Sequence, residues 1–218
     1  MRIAAFLLSL FLLSSFSRSA RADAPNEPVL RCRRVAHIGD SLSAYTKESL
    51  ARAYESVGVS AEIDAYGGRA TLQKLRPDPH TGKQAALALS EAGFDGCWVV
   101  ALGTNDTANI SAGARYTRER VIDQMMAAID PSGRAPVLWV TAFTLKKSGH
   151  WSNANMRLFN EALFAARARW PNLRVFDWSA VAARGVAPFA DGIHHTAQGY
   201  AVRNRAIAGA LAAFATER

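Results

Sequence analysis

The feature that most constrains this chain is a repeated alternation of short apolar runs with longer stretches of helical period. Runs at 34–38, 59–65, 97–102, 137–143 and 174–178 have the length of strands and are largely apolar. Helical patterns lie between and after them, at 43–57, 82–92, 116–129, 153–169 and 197–215. In the first, Leu50, Tyr54 and Val57 share one face and Gly58 follows; in the third, Val121, Met125 and Ile129 recur at four-residue spacing. The second is rich in Ala and Leu and is closed by Gly93. Such alternation predicts an α/β fold in which a parallel sheet is covered by helices on both faces. The 218 residues suffice for one domain with a real core, and not for two substantial ones. Three irregular stretches, 66–81, 144–152 and 179–195, are left for function to occupy.

The first strand-to-helix junction carries Gly39-Asp40-Ser41-Leu42. A serine there sits on a tight turn with its hydroxyl above the sheet edge. The first backbone N–H groups of the following helix point at whatever that hydroxyl attacks. A serine nucleophile with an oxyanion site needs this geometry. Four residues of this kind are also ordinary turn chemistry. Two further segments add to them. Leu102-Gly103-Thr104-Asn105-Asp106 follows the third strand, and Asp191-Gly192-Ile193-His194 precedes the last helix. Together they supply a serine, an amide and an Asp/His pair. His194 is the expected base for the Ser41 hydroxyl, and Asp191, three residues earlier, is within one turn of the second imidazole nitrogen.

This set, in this order, resembles the SGNH hydrolase superfamily, also called the GDSL family. The resemblance spans roughly residues 33–215. It implies a three-layer flavodoxin-like sandwich with a five-stranded parallel sheet in the order 2-1-3-4-5. It also implies that Ser41, Asp191 and His194 are catalytic, and that Ser41, Gly68 and Asn105 form the oxyanion hole. The glycine of that hole belongs after the second strand, where Ala65-Tyr66-Gly67-Gly68-Arg69 stands. Either glycine can present its N–H; Gly68 is the expected donor, because Arg69 takes the place of the polar residue that usually follows. Asp40 and Asp106 are expected to brace their loops by accepting backbone N–H bonds. His195 is expected to point elsewhere, and His37, inside the first strand, to be buried. Trp151, in the loop after the fourth strand beside Lys146 and Lys147, either stacks on a sugar ring of the substrate or covers the edge of the core.

The first 22 residues read as an export signal. Arg2 opens it, an apolar stretch runs from Ile3 to Phe16, and Ala20-Arg21-Ala22 suits cleavage. The stretch is shorter than the roughly 20 apolar residues of a spanning helix. Residues 23–32 read as a short lead-in, and 33–218 as the hydrolase domain. Loss of Arg2, Arg18 and Arg21 takes the 26 basic side chains to 23 against 18 acidic ones, a net +5. No basic run is interleaved with aromatics as in a nucleic-acid groove, so nucleic acid is not an expected partner. Cys32 and Cys97 are the two cysteines. They lie seven residues before Gly39 and six before Gly103, so on neighbouring parallel strands both stand at the sheet end away from Ser41. In an exported chain they are expected to pair. No His/Cys/Asp cluster has the spacing of metal ligands, and neither a metal nor another cofactor is expected.

These readings lead to a secreted or periplasmic serine esterase, expected to be monomeric and without stable membrane insertion after signal cleavage. Its expected substrate is a small-molecule or glycan ester, first of all a carbohydrate O-acetyl ester. Transfer of the acyl group to a cell-wall glycan uses the same residues. A binding domain of the same fold that does not turn over is the alternative of another class.

Overall fold

The computed structural model describes residues 32–73 and 80–216. The export signal at 1–22, and all of the 23–32 lead-in except Cys32, lie outside the described residues. Five strands form one parallel sheet: β1 (Arg34–Gly39), β2 (Ser60–Ala65), β3 (Cys97–Ala101), β4 (Val137–Val140) and β5 (Leu173–Phe176). Their order is β2-β1-β3-β4-β5, as the resemblance implies. Along β1 and β3 alternate residues serve opposite layers. Ala36, Ile38, Trp98 and Val100 face α3 (Gly82–Glu91), α5 (Arg118–Ile129) and α6 (Asn153–Ala166), where Ala86, Met125, Phe159 and Leu163 fill the core. Val35, Val99, Leu138 and Val140 face α2 (Lys47–Glu55) and α8 (Ala197–Thr216), with Leu50, Tyr54, Ile207 and Leu211 buried between. Burial on both faces needs near-continuous apolar strands, as in β3 and β4, while the edge strands β2 and β5 are only partly buried and carry Glu62, Asp64 and Arg174.

Several boundaries differ from the sequence reading, each for a local reason. The helix expected at 43–57 is two: α1 (Ser41–Ala44) and α2. The chain tightens between them, Thr46 N–H donating to the Ser43 carbonyl at 3.1 Å, and restarts when Leu50 N–H returns to Thr46 at 2.9 Å. The apolar run at 137–143 leaves the sheet after Val140. Asn160 of α6 holds both the N–H and the C=O of Ala142 at 2.9 Å, in the place of a neighbouring strand. The helix expected at 153–169 ends at Ala166, five residues before Pro171. Two short helices, α4 (Thr104–Ser111) and α7 (Trp178–Ala182), were not anticipated; α4 carries the Gly-x-Asn-Asp block into its first turn.

Cys32 and Cys97 form a disulfide, with Cα atoms 5.4 Å apart at the buried end of the sheet opposite Ser41. Among the described residues no helix is long and apolar enough to cross a membrane, and no three potential metal ligands cluster.

Candidate active site

Ser41 opens α1 directly after β1. Asp40 caps that helix, its Oδ1 accepting the Leu42 N–H at 2.9 Å. Close packing lets the turn be this tight: a Cβ on Gly39 would lie 2.6 Å from Cβ of Ser43. Behind the turn, His37 is fully buried between Tyr54 Oη and Ser43 Oγ, each 2.8 Å away. Burial pushes its pKa down to about 3, so it stays neutral. Arg203 of α8 reaches the same turn from the far end of the chain, donating through Nη1 to the Leu42 carbonyl at 3.2 Å. Burial raises Asp40 to about 6, against the opposing pull of the Leu42 N–H and the Arg203 charge.

Asp191, His194 and Ser41 form one hydrogen-bonded chain. Ser41 Oγ is 2.9 Å from His194 Nε2, and His194 Nδ1 is 2.8 Å from Asp191 Oδ2. Asp191 Oδ1 accepts the backbone N–H groups of Ile193 and His194 at 2.8 and 2.7 Å. Partial burial opposes the Asp191 charge, but these bonds and the imidazole outweigh it and hold the carboxyl well below the usual range. An ionised carboxylate only accepts, so Nδ1 carries the proton and Nε2 accepts from the Ser41 hydroxyl. That is the tautomer a general base needs.

The neighbouring imidazole has other company. His195 is buried against Trp178, Phe189 and Tyr200, and its Nδ1 donates to the Pro188 carbonyl at 3.3 Å. Burial pushes its pKa down to about 4. It does not meet Ser41.

Asn105 lies on the first turn of α4. Its backbone entry depends on Gly103, at φ 132°, where a Cβ would strike the Phe159 ring at 2.8 Å. Asp106 secures the next loop, accepting the Thr71 N–H at 2.8 Å and the Thr71 hydroxyl at 3.1 Å. Both aspartates thus act as braces, as expected. Burial raises Asp106 to about 7, partly offset by those bonds. Gly68, at φ 79°, turns the chain after β2. Arg69 is buried, its Nη1 donating to the Asp64 carbonyl at 2.9 Å and to the Asp64 carboxylate at 2.8 Å. Its guanidinium therefore braces β2.

A cleft of about 320 Å³ collects these groups, lined by Ser41, Gly68, Asn105, His194 and Trp151 together with Tyr45, Thr104 and Ile193. Trp151 is 36% exposed at its wall. Sequence reasoning missed Tyr45, Thr104 and Ile193. The first stands four residues after Ser41, one helical turn on; the other two sit inside the blocks that carry Asn105 and His194. A hydroxyl bonded to a correctly protonated imidazole, beside an amide and a helix N-terminus, can attack a carbonyl and stabilise the resulting oxyanion.

No family model matches the chain, and no curated protein sequence matches it. Solved structures do. The C-terminal catalytic domain of peptidoglycan O-acetyltransferase A from Streptococcus pneumoniae, bearing a methylsulfonyl adduct, is 18% identical, with a TM-score of 0.61 over 83% of this chain and 92% of that one. A carbohydrate acetylesterase family member from Sinorhizobium meliloti is 18% identical, with a TM-score of 0.61 over 82% and 97%. A GDSL-like lipase from Bacteroides thetaiotaomicron is 14% identical, with a TM-score of 0.57 over 82% and 87%. The chain shares the fold of these structures and of a putative SGNH hydrolase from Slackia heliotrinireducens, 19% identical with a TM-score of 0.60 over 84% of this chain and 98% of that one.

Proposed function

We propose that the chain is an SGNH-type serine hydrolase that cleaves carboxylic esters, foremost O-acetyl groups borne by carbohydrate. The observation that carries this reading is the hydrogen-bonded chain from Asp191 through His194 to Ser41, at 2.8 and 2.9 Å. Ser41 Oγ attacks the ester carbonyl and passes its proton to His194 Nε2. The carbonyl oxygen becomes an oxyanion held by the backbone N–H groups of Ser41 and Gly68 and by the Asn105 side-chain amide. Collapse breaks the bond to the alcohol, which leaves with the proton from His194. Water then attacks the acyl-serine, with His194 again as base, and releases acid and Ser41. Asp191 keeps the imidazole in its working tautomer. No step in this sequence calls on a metal or cofactor.

The carbohydrate part of the reading draws on the named acetylesterase and acetyltransferase structures and on Trp151, whose ring borders the cleft. Transfer of the acyl group to a glycan hydroxyl is the second reading, favoured by the likeness to the S. pneumoniae domain. Export to an oxidising compartment fits the Cys32–Cys97 disulfide. The test is turnover of 4-nitrophenyl acetate, with and without an added glycan acceptor. Release of acetate abolished by Ser41→Ala supports the hydrolase; acetyl appearing on the acceptor supports transfer. Glycan binding without turnover of any ester contradicts both.

A further inference from the structure

A second groove shares Tyr45 with the cleft. It has a volume of about 470 Å³ and is lined by Thr46, Lys47, Glu48, Ser49 and Arg52 on one side and by Ala197, Tyr200 and Ala201 of α8 on the other. Tyr45 belongs to both cavities and is 67% exposed. We propose that this groove is a subsite for the alcohol side of the substrate, holding the sugar units of a glycan chain that follow the acylated one, with Tyr45 as the stacking platform between. The inference rests on the ester-cleaving reading of the Ser41 cleft.

The direction follows from the chemistry. His194 must protonate the departing oxygen, so that oxygen lies within hydrogen-bond reach of Nε2, and the alcohol extends from there. Two observations put the groove on that side. The Tyr45 ring packs on the His194 ring, with centroids 5.5 Å apart. The α8 wall begins at Ala197, three residues after His194. An acyl chain lies on the other side of the carbonyl carbon, away from this groove.

The lining suits a hydroxyl-rich chain. Thr46, Ser49, Glu48, Lys47 and Arg52 offer both donors and acceptors, and Tyr45 offers an aromatic face. The groove is also built in place. The buried Asn204 of α8 donates through Nδ2 to Ser49 Oγ at 2.8 Å and to Thr46 Oγ1 at 3.3 Å, tying its two walls together. Arg52 meets Glu48 only at 3.8 Å, with both side chains mostly exposed, so its guanidinium is open to a ligand.

The experiment compares kcat/KM for O-acetylated xylose and xylotetraose, and for O-acetylated N-acetylglucosamine and its β-1,4 tetramer. The chain and its Lys47→Ala/Arg52→Ala variant are assayed with 4-nitrophenyl acetate as the reference. The tetramer should exceed the monomer at least tenfold in one series, and the double substitution should cut that ratio at least fivefold. Binding of the unacetylated tetramers to Ser41→Ala, read by calorimetry, should weaken at least fivefold on the same substitution. If 4-nitrophenyl acetate is cleaved but neither series gains from chain length, or if the double variant leaves ratio and binding unchanged, the subsite is overturned and the hydrolase reading stands. If no ester is cleaved at all, the hydrolase reading itself falls, and calorimetry still decides whether the groove binds glycan.

Discussion

Asn105 donates its side-chain amide to the carbonyl of Arg69 at 3.0 Å, across the gap between the β3 and β2 loops. That bond uses one hydrogen of Nδ2 and fixes the amide plane. The second hydrogen of the same nitrogen remains for an oxyanion in the cleft that Asn105 lines. One residue thus joins the Gly68 turn to α4, and in the proposed mechanism its remaining N–H is the oxyanion donor. Asn105→Ala should lower kcat by about 10²–10³-fold, with a smaller change in KM. Steady-state kinetics on 4-nitrophenyl acetate check this; a kcat within threefold of the parent removes Asn105 from the oxyanion hole.

The two adjacent histidines should separate cleanly. His194→Ala should cost nearly as much activity as Ser41→Ala, because the base is lost. Asp191→Ala should retain on the order of ten- to a hundredfold more activity than His194→Ala, since the carboxylate orients and stabilises the imidazole without taking the proton. His195→Ala leaves a void among Trp178, Phe189 and Tyr200, so it should lower the melting temperature while the properly folded fraction keeps its turnover. An inactive but stable His195→Ala beside an active His194→Ala would make His195 the base and overturn the assignment to His194.

The Cys32–Cys97 bridge closes a loop with a sequence separation of 65. Replacing both cysteines by Ala should lower unfolding stability by roughly 2–5 kcal/mol with little effect on kcat, because the bridge lies at the sheet end remote from Ser41. Urea denaturation of the two proteins measures the difference. Two thiols titrating in the denatured, unreduced protein would show that the bridge does not form.

Buried neutral His37 sets an acid limit. Its pKa is lowered to about 3 in the fold, against the ordinary histidine value in the unfolded chain. The unfolded state therefore takes up the proton first as pH falls. The stability from His37 is present above about pH 6.5 and is lost progressively between there and about 3. His37→Gln can keep bonds to Tyr54 and Ser43 without titrating. From pH 7.5 to 5 the parent should lose about 2 kcal/mol more than this variant, as read by urea midpoints. Equal losses would show that His37 is not held neutral.

The layers were legible because strand-length runs alternate with helical patterns along the chain, whereas the strand order came from the resemblance carried by the three blocks. Ser41, Asn105, Asp191 and His194 were legible because each stands in a short block at a strand end or before a helix. The rest depended on contacts between distant residues. The end of β4 at Val140 is set by Asn160, which completes the backbone bonds of Ala142 from another helix. The break at Tyr45 and Thr46 is braced by Asn204, 158 residues further along the chain. Arg203, which pins the Ser41 turn through Leu42, reads in sequence as one more cation on an amphipathic helix. The packing of Tyr45 on His194 had no local signature either, since 149 residues separate the two in the chain.

The most direct test of the account is covalent labelling of the native protein with a fluorophosphonate, followed by peptide mapping. Ser41 should carry the adduct, at one label per chain. Labelling should fall by at least a hundredfold in His194→Ala, because the hydroxyl loses the base to which it is bonded at 2.9 Å. An adduct on another serine, with Ser41 unmodified, would contradict the mechanism and the function drawn from it.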